Sequence, residues 1–148
     1  MNTCWEFKEA DIFEKLSRAK KEIKELRKTY PITYVFIEES LQAFRPGFSS
    51  AKTILTLAKF NGILSWMIWE QMGIKPEYIG STSARKNCGI KITKGIPAKK
   101  QVMDWMLQTQ KWFKIENKKN SENIRDHFYD MADSYVIARA GFLKQTKN

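Results

Sequence analysis

Histidine and cysteine are nearly absent from this chain, and so is any long apolar run. The two cysteines, Cys4 and Cys88, share no motif with each other or with the lone His127. That excludes a disulfide framework and a Cys/His zinc site, and points to a reduced, intracellular setting. No stretch of 18 or more apolar residues is present, the length a membrane helix requires. The longest apolar region, from about residue 54 to 72, is interrupted by Lys59, Asn61 and Glu70. Glu6, Glu9 and Asp11 break up the amino terminus, so no signal peptide is expected there. There is no internal repeat, and only the polar stretch 114–123 reads as low in structure. Acidic residues are also scarce, at 16 against 26 basic ones, a formal net charge of +10.

What remains is the composition of a globular protein. The chain has 148 residues, 43% hydrophobic and 13% aromatic, enough for one domain with one substantial core. The excess positive charge attracts polyanions, and nucleic acid is the commonest of them. No membrane association and no small-molecule cofactor is expected.

The order of elements indicates an α/β domain. Ile12, Leu16, Ala19, Ile23 and Leu26 fall at helical spacing, predicting an amphipathic helix that ends before Pro31 and is capped by Asp11. Residues 32–38 form a β-branched and aromatic run of strand length. It is apolar at nearly every position, as in a central strand of a parallel sheet covered on both faces. A loop over 39–50 follows, with Ser49 or Ser50 as the cap of a long helix reaching about Met72. That helix is apolar around most of its circumference, so it is expected to bury more than one face, in the core or against a second subunit. Residues 77–80 read as a short strand, 83–95 as a basic loop, and Pro97 opens the next helix. The last helix is expected over about 122–142.

Three carboxylates stand out. Glu38 closes an apolar strand, at the end where open α/β sheets place their ligands. Asp130 and Asp133 are three apart on a helix and share one face. Met131, Ala132, Val136, Ile137 and Ala140 make that helix largely apolar, so at least one Asp is expected in a partly buried site. Two like charges that close repel unless a cation or an Arg sits between them, and for unpaired carboxylates in a partly buried site a divalent cation is the natural partner.

The string from Asp130 to Ala138, Asp-Met-Ala-Asp-Ser-Tyr-Val-Ile-Ala, resembles the carboxy-terminal catalytic helix of RuvC-type Holliday-junction resolvases, of the ribonuclease H superfamily. Phe36, Ile37, Glu38 and Glu39 resemble that family's second catalytic strand. The segment from Ala84, Arg85 and Lys86 to Lys99, Lys100, Gln101 and Val102 resembles its Arg-containing loop and the Lys that starts the next helix. The three occur in the family's order, and the resemblance covers about 11–142.

The resemblance implies a ribonuclease H-like mixed sheet flanked by helices, in one nuclease domain over 1–148. It implies Glu38, Asp130 and Asp133 as ligands for two Mg²⁺ or Mn²⁺ ions, with Lys99 beside the scissile phosphate and Lys100 a weaker candidate. The implied substrate is a four-way DNA junction, engaged by a homodimer built on the long helix around Trp66 and Trp69. Arg85, Lys86, Lys91, Lys94 and Arg45 are candidate phosphate contacts, Phe44 and Phe48 candidate wedges against a base. His127, one turn before Asp130, is a candidate helper, though a lone histidine is more often a surface or hydrogen-bonding residue.

One departure qualifies the match. The family begins with a hairpin whose first strand carries an Asp in a pattern like Ile-Asp-Pro-Gly. Nothing before Glu38 resembles it, and Trp5 to Lys8 fits the family's third strand. The chain therefore reads as a truncated, split or alternatively started member, missing the first two strands. Three activities stay open: a structure-selective endonuclease, an inactive branched-DNA-binding remnant, or a ribonuclease H-like nuclease for another substrate. The expected location is cytoplasmic, in a prokaryotic or phage setting.

Overall fold

The structure is a computed structural model that describes residues 4–9, 11–39, 51–117 and 123–146. It is mixed α/β and mostly helical, with α1 (Ile12–Thr29), β1 (Phe36–Glu38), α2 (Ala51–Met72), β2 (Glu77–Ile79), α3 (Ser81–Asn87), α4 (Ala98–Thr109) and α5 (Asp126–Gln145). The chain divides into two compact units. One is Trp5–Tyr78; the other comprises Met1–Cys4 and Ile79–Asn148. Among the described residues no helix is long and apolar enough to cross a membrane.

In the Trp5–Tyr78 unit, α1 follows the sequence pattern. Asp11 caps it, its Oδ1 accepting from the backbone N–H of Phe13 at 2.7 Å and Glu14 at 3.3 Å. These bonds satisfy two of the donors that a helix start leaves orphaned. Leu16 and Ala19 are buried, while Ile12, Ile23 and Leu26 are partly covered, so one stripe packs inward. The helix stops at Tyr30, whose N–H reaches the Leu26 carbonyl, just before Pro31.

The β-rich run is shorter than its composition suggests. Only Phe36–Glu38 forms a strand, paired with the three-residue β2 in a two-stranded parallel sheet. A ladder extends only as far as its partner reaches, and β2 is brief. Phe36 and Ile37 are half-buried and Glu38 is exposed, so β1 is not the strand covered on both faces that its apolar run suggests. Trp5 to Lys8 form no strand.

Helix α2 packs one face within this unit. It buries Met67 and Ile68 and half-covers a stripe that includes Ile54, Phe60, Leu64 and Gln71. Leu55, Leu57, Ile63, Trp66 and Trp69 remain exposed in the single chain, so within it one face of α2 packs inward. The loop carrying Phe44, Arg45, Phe48, Ser49 and Ser50 lies outside the described residues.

In the other unit, α5 packs against both α3 and α4. Ala84 on α3 and Ala132 and Ala140 on α5 are fully buried. Small side chains at such positions let helix backbones approach closely. The Cys88 Sγ lies 3.6 Å from the Val136 carbonyl, and burial pushes its thiol pKa up. On α4, Val102, Met103 and Met106 are the most deeply buried side chains, and Phe113 meets Phe128 of α5 edge-on. Part of the polar stretch is tied down: Asn117 bridges Ile124 in antiparallel fashion, and Arg125 pairs with Glu116 at 3.5 Å. Residues 118–122 lie outside the description.

Because Ala84 has no accessible surface, Ala84→Leu forces extra volume into a closed space. We expect it to cost about 1–3 kcal/mol, measured by urea unfolding.

Candidate functional site

The segment expected as a basic loop over 83–95 begins as a helix. Arg85 and Lys86 sit on α3, and the chain leaves that helix through Gly89, whose φ of 73° is the left-handed conformation that a residue with a side chain rarely adopts. The Gly89 N–H bonds the Lys86 carbonyl and the Ile90 N–H bonds that of Arg85. Buried Ile90 then anchors the outgoing chain. The loop proper runs over 88–97 and carries Lys91 and Lys94, both exposed.

Gln101, the second turn of α4, was not marked as functional by its sequence position, yet it organises this loop. Its Oε1 accepts from the Thr93 N–H at 2.8 Å, and its Nε2 donates to the carbonyls of Thr93 and Ile96 at 3.1 and 2.9 Å. A glutamine side chain that meets backbone groups in a loop leaves no periodic trace in sequence.

Helix α5 carries the two aspartates, and the third residue of separation places them on one face as expected. Their environments differ sharply. Asp130 is exposed, and its Oδ1 accepts from Lys99 Nζ at 3.1 Å. Asp133 exposes 14% of its side chain and faces Arg85, itself 17% exposed, with Nη2 to Oδ1 at 3.6 Å. Burial raises the Asp133 pKa above the ordinary carboxylate value; the charges of Arg85 and Lys99 pull it back, and the charge of Asp130 adds to the rise. Four residues singled out in sequence thus gather in one unit: Arg85 from α3, Lys99 from the start of α4, and Asp130 and Asp133 from α5.

Glu38 stands exposed at the carboxyl end of β1 in the Trp5–Tyr78 unit, its backbone carbonyl accepting from Asn61 Nδ2 at 3.4 Å. Lys100 is exposed on the first turn of α4. His127 lies against the Phe128 ring, with centroids 4.2 Å apart. Phe44, Arg45 and Phe48 fall outside the described residues. Among the described residues, no group of three or more His, Cys, Asp or Glu side chains is arranged to hold a metal ion. The Asp130 and Asp133 carboxylates do suit a hard cation such as Mg²⁺, which takes one or two carboxylates and completes its shell with water and phosphate oxygens. In this structure their charges are met by Lys99 and Arg85.

The raised Asp133 pKa has a definite effect on stability. Between the unfolded and folded pKa values the folded chain binds the proton more tightly, so stability falls as pH rises through that window. Asp133→Asn removes the charge. We expect the urea midpoint of the parent chain to fall relative to that of the variant as pH rises from below the ordinary carboxylate range, where the parent Asp133 is also neutral, to 7.5. A difference independent of pH would contradict this.

No family model, curated protein or solved structure matches this chain, so its functional reading stands on its own residues and their geometry.

Proposed function

We propose that this chain is a RuvC-like, divalent-cation-dependent DNA endonuclease that nicks branched DNA such as the four-way junction. The supporting observation is the convergence of Arg85, Lys99, Asp130 and Asp133, residues that lie up to 48 positions apart in sequence. Pairing on an ordinary solvated surface gives no reason for a half-buried Asp with a raised pKa beside an exposed Asp–Lys pair.

Asp130 and Asp133 hold the cation in this reading. Glu38 is assigned as a further ligand by resemblance, within a ribonuclease H-like fold. Bound Mg²⁺ or Mn²⁺, in one or two sites, would lower the pKa of a coordinated water and offset charge on the phosphoryl oxygens. In the hydrolysis, water adds to phosphorus and the bond to the 3′ oxygen breaks, leaving a 5′-phosphate and a 3′-hydroxyl. Lys99, exposed above Asp130, neutralises the scissile phosphate. Lys86, Lys91 and Lys94 contact flanking phosphates without reading bases, and Arg45 and Phe44 are assigned to the junction by resemblance alone. The exposed Leu55, Leu57, Trp66 and Trp69 of α2 suit the homodimer that a two-fold junction substrate would engage.

A second reading has its own support. Both aspartates already carry basic partners, and a module that binds branched DNA without cutting could keep such an ion-pair cluster for structure alone. One assay separates the two. The chain is incubated with a labelled four-way junction and Mg²⁺ or Mn²⁺. We expect symmetric nicking, reduced about 100-fold or more by Asp133→Asn or Asp130→Asn and weakened by Lys99→Ala. Binding without nicking would leave the second reading standing.

A further inference from the structure

Arg85 is held by less than its chemistry allows. A guanidinium has five N–H donors in a planar fork. Here one Nη faces Asp133 at 3.6 Å, beyond good hydrogen-bond range, and the Nε is buried with no partner among the described residues. Leaving a buried donor unsatisfied costs about 1–3 kcal/mol. Beside it lies a cavity of about 270 Å³ lined by Thr82, Arg85, Lys86, Ile90 and Ile92. Thr82, Arg85 and Lys86 are spaced i, i+3 and i+4, which puts a hydroxyl, a guanidinium and an ammonium on one face of α3. Ile90 and Ile92 supply an apolar wall on which a sugar can rest. Phosphate is the anion whose oxygens match this set, since it takes a guanidinium by two parallel bonds and accepts from a hydroxyl and an ammonium as well.

We propose that Arg85 is shared between two anions, Asp133 and a DNA backbone phosphate seated in this cavity, and that seating the phosphate draws the guanidinium away from Asp133. The inference rests on the nuclease reading for its purpose: the carboxylate would be released for a cation only when DNA is in place. By linkage, whatever frees Arg85 from Asp133 must strengthen phosphate binding by the same factor. Asp133 therefore acts as a restraint on DNA affinity in the absence of metal, through Arg85.

The test uses the full chain in EDTA, with a fluorescent DNA duplex and anisotropy as the readout, so no cutting enters it. Asp133→Asn is expected to tighten binding about tenfold. In an Arg85→Gln background the same substitution should change Kd by less than about twofold. Equal tightening in both backgrounds would mean simple removal of negative charge and would overturn the proposal, as would no tightening in either. A second measurement needs no altered fold: the Arg85 Nε–H resonance of the parent chain, identified by its loss in Arg85→Lys, should shift on adding duplex. A resonance that stays put counts against the proposal. Failure of junction nicking with the coupling intact would remove the nuclease reading and leave the shared arginine.

Discussion

Where α3 meets α5, an arginine and an aspartate face each other with most of both side chains withdrawn from solvent, and the architecture of the Ile79–Asn148 unit is arranged around that fact. Burying two charges is expensive, and it is tolerated when the opposing charge is close and the surroundings are closed. The closing is done by alanines. Ala84, Ala132 and Ala140 let the helices approach, and the Cys88 thiol reaches the Val136 carbonyl on the same side. Replacing either charged partner leaves the other without its main compensation, so the pair constrains what α3 and α5 can accept elsewhere along their contact.

The same crossing explains why two aspartates three residues apart behave differently. Asp130 lies one turn nearer the amino terminus of α5, in solvent, and pairs with a flexible lysine. Asp133 is turned toward α3 and loses hydration that Arg85 only partly replaces. Unequal acidity in a carboxylate pair arises from this kind of difference in surroundings and needs no difference in side-chain chemistry.

Local patterns were legible in the sequence to the extent that they were periodic or capped. The α1 stripe, its Asp11 cap and its stop before Pro31 all follow from residue spacing. So does the common face of Asp130 and Asp133, and the half-burial of one of them. Helix α3 was not legible. Its seven residues, Ser-Thr-Ser-Ala-Arg-Lys-Asn, have no apolar repeat, and the fully buried Ala84 shows that packing against α5 supports the helix. The apolar circumference of α2 is met on one face only among the described residues, because apolar residues report a preference for burial without naming the partner. The Arg85–Asp133 pairing was not read from the sequence, where a divalent cation was the natural partner of the buried carboxylate and Arg85 a phosphate contact; the placement of α3 brings the two side chains together.

Gln101 has a consequence for the proposed encounter of this surface with a polyanion. With three bonds it ties the backbone at Thr93 and Ile96, on either side of Lys94. A segment already held in shape gives up little conformational freedom when it associates, so more of the attraction between charges survives as affinity. Encounter on such a surface is governed by ionic strength and not by the time a loop needs to find its form.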